Sequence, residues 1–181
     1  MGLLSFAQPA QAGIIYTPTN VSISSGTLSI ILTNNAIDQF QLTDLFSFSK
    51  GARRFYGSAA VRFLSVNGLG NPSNQVVFKS GYAAALQAGV PIGPGGAFGD
   101  GSHERAWGVN TYPGNPVHGL WASVSDEYLG LQFQINGQTY YGWAELSVSG
   151  FAADITATLQ RYAYNNVAGQ QIQAGQTSPH P

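Results

Sequence analysis

The chain has 181 residues, 44% of them hydrophobic but only 8% charged, with a formal net charge of −1. A typical globular domain carries about 25% charged residues, so neither long-range electrostatic steering nor a nucleic-acid partner is expected. The absence of cysteine excludes disulfides and thiolate chemistry, and no apolar run is long enough for a membrane span.

The chain opens on MGLLSFAQPAQAG, where Ala10-Gln11-Ala12 fits an A-x-A cleavage pattern but no basic residues precede the apolar run. Residues 1–12 therefore read as a signal-peptide remnant or an N-terminal arm. A single domain is expected over 13–176, followed by a polar tail at 177–181.

GIIYTP at 13–18 is the first predicted strand. VSISSGTLSIILTNN then alternates apolar and polar residues on either side of a turn at Ser24-Ser25-Gly26. Phe40 and Leu42 continue the two-residue period. KGARR at 50–54 is the only basic cluster and reads as a solvated turn. SAAVRFLSV at 58–66 carries apolar side chains on both faces, as a strand buried between layers does. QVVFKS is a further short strand. YAAALQAG at 82–89 is the one helix candidate, since Ala and Leu favour helix and Gly89 would stop it.

GVPIGPGGAFGDGS at 89–102 reads as an ordered surface loop, and its glycines lack the spacing of a phosphate-binding loop. The following segment, with Trp107 and Trp121, is expected to run across an edge or mouth of the fold.

YLGLQFQINGQTYYGWAELSVSG at 128–150 is the most informative stretch. Asn136-Gly137 signals a two-residue type I′ turn. Such a turn fixes the register: Phe133 faces Tyr140, Leu131 faces Gly142 and Leu129 faces Ala144 on one side. On the other side Gln132 faces Tyr141, Gly130 faces Trp143 and Tyr128 faces Glu145, with Trp143 expected to cover Gly130. In ADITATLQRYAY, strict alternation puts Ala157 and Leu159 on one face and Tyr162 and Tyr164 on the other, extending the aromatic surface. VAGQQIQAGQ is a β-capable C-terminal segment. Many short strands with Gly-rich turns predict an all-β fold, an antiparallel β-sandwich of jelly-roll type.

YLGLQFQINGQTYYGWAELSVSG and LQRYAYNNVAGQQIQAGQ together resemble the C-terminal half of a family of bacterial secreted proteins associated with PEP-CTERM sorting tails. The resemblance spans residues 128–176 and extends weakly to TNNAIDQFQLTD, which lacks a tight DxDxDG calcium loop. It implies a secreted or cell-surface β domain and carries no catalytic motif. No sorting helix follows TSPHP, so the tail lies outside this sequence or this member is released.

Chemical motifs are sparse. Asp126, Glu127 and Glu145 do not fix a glycosidase pair, and His103, His118 and His180 do not form a metal-binding spacing. No GxSxG nucleophile elbow is present. Neither an enzyme nor a metal or cofactor site is expected. The candidate binding or assembly face is Tyr128, Gln132, Tyr141, Trp143 and Glu145. Its rings would pack against further copies of the chain, in a homo-oligomeric surface layer or filament. Alternatively they would stack on an extracellular polysaccharide, as in a non-catalytic carbohydrate-binding module.

Overall fold

The computed structural model describes residues 13–23, 26–32, 40–49, 59–68, 72–99, 119–149 and 156–179. The N-terminal 1–12, KGARR, Trp107 and the three histidines lie outside the described residues. Strands β1 (Ile14–Ile23), β2 (Gly26–Ile30), β3 (Phe40–Ser49) and β4 (Ala59–Gly68) come first. The short β5 (Gln75–Lys79), β6 (Tyr82–Ala83), β7 (Pro91–Ile92) and β8 (Phe98–Gly99) follow. The long β9 (Val124–Ile135), β10 (Gln138–Ser149) and β11 (Thr156–Asn165) and a short β12 (Ile172–Gln173) complete the order.

All pairings are antiparallel. The main sheet runs β1-β11-β10-β9-β5-β6, with β8 also paired to β5. β2-β3-β4 form a second sheet, and β12 and β7 pair as a third small layer. Packed antiparallel sheets of this kind are those of a β-sandwich. The consecutive hairpins β9–β10–β11 do not by themselves define a jelly roll. No helix among the described residues is long and apolar enough to cross a membrane.

The β9–β10 hairpin has the predicted register throughout its upper half. Asn136 and Gly137 sit at φ of 52° and 77°, the left-handed pair that a type I′ turn demands. One face of the main sheet packs on β2–β4, where Ile30, Phe40 and Val66 join Leu129, Leu131, Phe133, Leu146 and Leu159 in a single buried cluster. Opposite Leu131, Gly142 must be small: a Cβ there would come within 2.6 Å of the Ala163 carbonyl oxygen.

Four expectations are corrected. The helix over 82–89 does not form. Tyr82–Ala83 is β6, the Ala84 amide donates to the Val77 carbonyl, and Leu86 exchanges both backbone bonds with Tyr128. Sheet pairing and burial of Ala83 and Ala84 override a helix propensity that eight residues could not sustain alone. Trp121 is not at an edge; it is fully buried in the main cluster, and its indole N–H donates to the Ala83 carbonyl at 3.1 Å. The space above Gly130 is filled by Val77 and Leu86 rather than by Trp143.

The fourth correction concerns Tyr162 and Tyr164. The β10–β11 register shifts between Glu145 and Leu146, leaving Gln160 as an extra residue. Such a bulge moves every later side chain to the opposite face. Ala157 and Leu159 before it, and Tyr162 and Tyr164 after it, therefore all pack on the main cluster.

Candidate functional site

The other face of the main sheet has two halves. In the upper half Tyr128, Tyr141, Trp143 and Ala163 form a second buried cluster under Ile92 of β7 and Ile172 of β12. The loop leading to β7 is sewn to the C-terminal segment: the Gly89 amide donates to the Ala174 carbonyl, and the Ala174 amide to the Val90 carbonyl. The predicted aromatic face is thus covered by the chain itself. Trp143 is 0% exposed, and its indole N–H donates to the Gln176 carbonyl at 3.1 Å. Tyr128 meets Trp143 edge-on at 5.3 Å, and Tyr141 packs on Phe98 at 5.7 Å. Gln132 is half-buried and donates to the Gln75 side chain at 3.2 Å. These rings offer no open platform for a sugar or a second copy.

Glu145, the fifth predicted residue, lies where the covered half ends. Register sets Pro18, Arg161, Glu145 and Tyr128 in one row across β1, β11, β10 and β9. Glu145 is only 1% exposed, and a buried carboxylate needs a partner. Arg161 supplies it in fork geometry: Nη2 donates to Oε1 at 2.9 Å and Nε donates to Oε2. The phenols of Tyr16 and Tyr128 lie beside the guanidinium and favour its charged form. Hydrogen bonding to Glu145 is the main reason that Arg161 is held above the usual arginine range. Burial, with the Glu145 charge second, pushes the Tyr128 phenol up from its ordinary value of 10.0.

Immediately below this row the strands become irregular. β11 carries the extra Gln160, β1 passes two residues, Thr19 and Asn20, opposite it, and β9 has a further shift at Ser125 and Asp126. Asp126 adopts φ of 58°. Its carboxylate accepts from Gln160 Nε2 at 2.8 Å and from the Ser147 hydroxyl at 3.3 Å, so the two bulges are tied together across β10. Bulges concentrate beside functional sites, where they redirect side chains. Here they open a cleft of about 640 Å³ whose lining includes Tyr16, Pro18, Asp126, Glu145, Gln160 and Arg161, a volume in the range of small-ligand sites.

Tyr16 forms the rim. Tyr16 is 38% exposed, and its ring lies 6.4 Å from the Trp143 ring, tilted by 45°. Among the described residues no group of three or more His, Cys, Asp or Glu is arranged to hold a metal ion. Sequence reasoning found Glu145 and weighed Asp126 only as half of a glycosidase pair, and it missed Arg161, Tyr16 and Gln160. One signal was present: a carboxylate on the Trp143 face calls for a cation, and Arg161 is the only one in the next strand. No protein-family model, curated protein or solved structure matches the chain.

Proposed function

We propose that this chain is an exported, non-catalytic binding domain that takes a polyhydroxylated ligand, a polysaccharide, in the cleft beside Tyr16. The carrying observation is the half-exposed Tyr16 ring in the cleft that the Arg161–Glu145 pair also lines. A planar ring suits the face of a sugar, while Asp126, Gln160 and Arg161 suit its hydroxyls. Export is supported by the PEP-CTERM-type resemblance and the A-x-A pattern at residues 10–12. A binding role fits better than a catalytic one because Arg161 engages both oxygens of Glu145, leaving that carboxylate as a fixed acceptor. On an array of neutral hexose oligosaccharides the protein is expected to bind a defined subset. Tyr16→Ala should weaken that binding about tenfold or more with folding unchanged. An array without signal would remove this reading.

A second reading, homomeric assembly into a layer or filament, is favoured by β1. Among the described residues it is the terminal strand of the main sheet, it carries no charged residue, and Ile15 and Val21 are 43% and 40% exposed. An edge strand without charges is open to pairing with another chain. Sedimentation velocity should then show oligomers that dissociate in Ile15→Lys. A wild-type monomer at all concentrations would count against assembly.

A further inference from the structure

The cleft is continuous with the lower half of the same sheet face. Ser22 of β1, Thr156 and Thr158 of β11, and Ser147 and Ser149 of β10 share that half by register. All five are exposed or half-exposed. The upper half of the face is apolar and covered, whereas this half presents these hydroxyls beside Gln160 and Asp126. The hydroxyls are linked across the strands. Ser22 and Thr158 share a hydrogen bond of 3.0 Å, and Ser147 accepts from Gln160 at 3.0 Å and donates to Asp126. Each hydroxyl can both donate and accept, as sugar hydroxyls do. Their mutual bonds fix them before any ligand arrives. The four strands β1, β11, β10 and β9 span three inter-strand steps of about 4.8 Å, roughly 14 Å in all.

From this continuity we infer that the protein binds along the interior of an extended neutral polysaccharide chain, rather than capping a chain end. One sugar unit packs on Tyr16 in the cleft and the following units lie across the Ser22–Thr158–Ser147 row. This inference rests on the cleft reading above and adds a second, separable contact surface. An anionic ligand is disfavoured because the row holds no cation and the adjoining cleft is lined by Asp126, Glu127 and Glu145, with Arg161 already engaged by Glu145.

The test uses one series of neutral homo-oligosaccharides, from disaccharide to hexasaccharide, of whichever linkage the array selects. Affinity is followed by calorimetry. It should rise about tenfold or more along the series. In Thr158→Val with Ser22→Ala the rise with length should flatten. Tyr16→Ala should lower binding at every length. Equal affinity for all lengths, or an unchanged rise in the double variant, overturns the extended-chain inference and leaves the cleft reading standing. Absence of binding at every length, in a protein that unfolds cooperatively, overturns both.

Discussion

Trp143→Ala is expected to destabilise the domain by about 3–5 kcal/mol, the range for emptying a buried aromatic site. The side chain is fully buried between the main sheet and the β7–β12 layer, where the neighbours held by β-sheet pairing cannot collapse into the void. Its removal also leaves the Gln176 carbonyl without the indole donor. Since whole domains are stable by only about 5–15 kcal/mol, the variant should show a large drop in urea midpoint. Trp143→Phe, which keeps a ring and loses the N–H, should lose much less. A midpoint within error of wild type for the alanine variant would mean that the layer over Trp143 does not pack as described. Loss of ligand binding in this variant would report lost structure, not a lost ligand contact.

The next largest effect is expected from Arg161→Met. The change strands the Glu145 carboxylate, 2% exposed at its side chain, without its cation. Breaking a buried pair from one side costs about 3–5 kcal/mol. Arg161 itself is 43% exposed, so water enters more easily and the lower end, about 3 kcal/mol, is expected. Adding Glu145→Gln should restore most of the loss, because the group that needed the cation is then neutral. A denaturation double-mutant cycle measures this directly. Additive losses would show that Glu145 does not depend on Arg161. Arg161 also lines the cleft, so binding there should weaken even at temperatures where the protein stays folded.

The hairpin was legible because one local signal determines it. Asn136-Gly137 admits essentially one turn, and the turn then aligns each pair from Ile135–Gln138 to Tyr128–Glu145. Burial of Leu129, Leu131 and Phe133 on one face followed from their period. What lies over the opposite face was not legible. Its cover comes from Ile92, far upstream, and from Ile172, and pairing between segments so distant leaves no trace in local alternation. The 82–89 segment misled for a related reason: alanine prefers helix in isolation, while its backbone here is claimed by Val77 and Tyr128. Most of the candidate site was hidden by the bulges. No glycine or proline marks Gln160, so alternation read through it carried Tyr162 and Tyr164 to the wrong side.

The extra residue at Gln160 has an evolutionary consequence. A sheet strand has a reading frame of two residues, and β10 keeps one frame along its length while β11 changes frame once. Deleting Gln160 would therefore restore strict alternation rather than break it: Leu159 would stay opposite Leu146 and Arg161 opposite Glu145, with Tyr162 and Tyr164 still on the inner side. What would go is the Gln160 side chain that ties Asp126 and Ser147 together in the cleft. A relative with a gap at this position keeps the same inside and loses the irregularity that shapes its outer face.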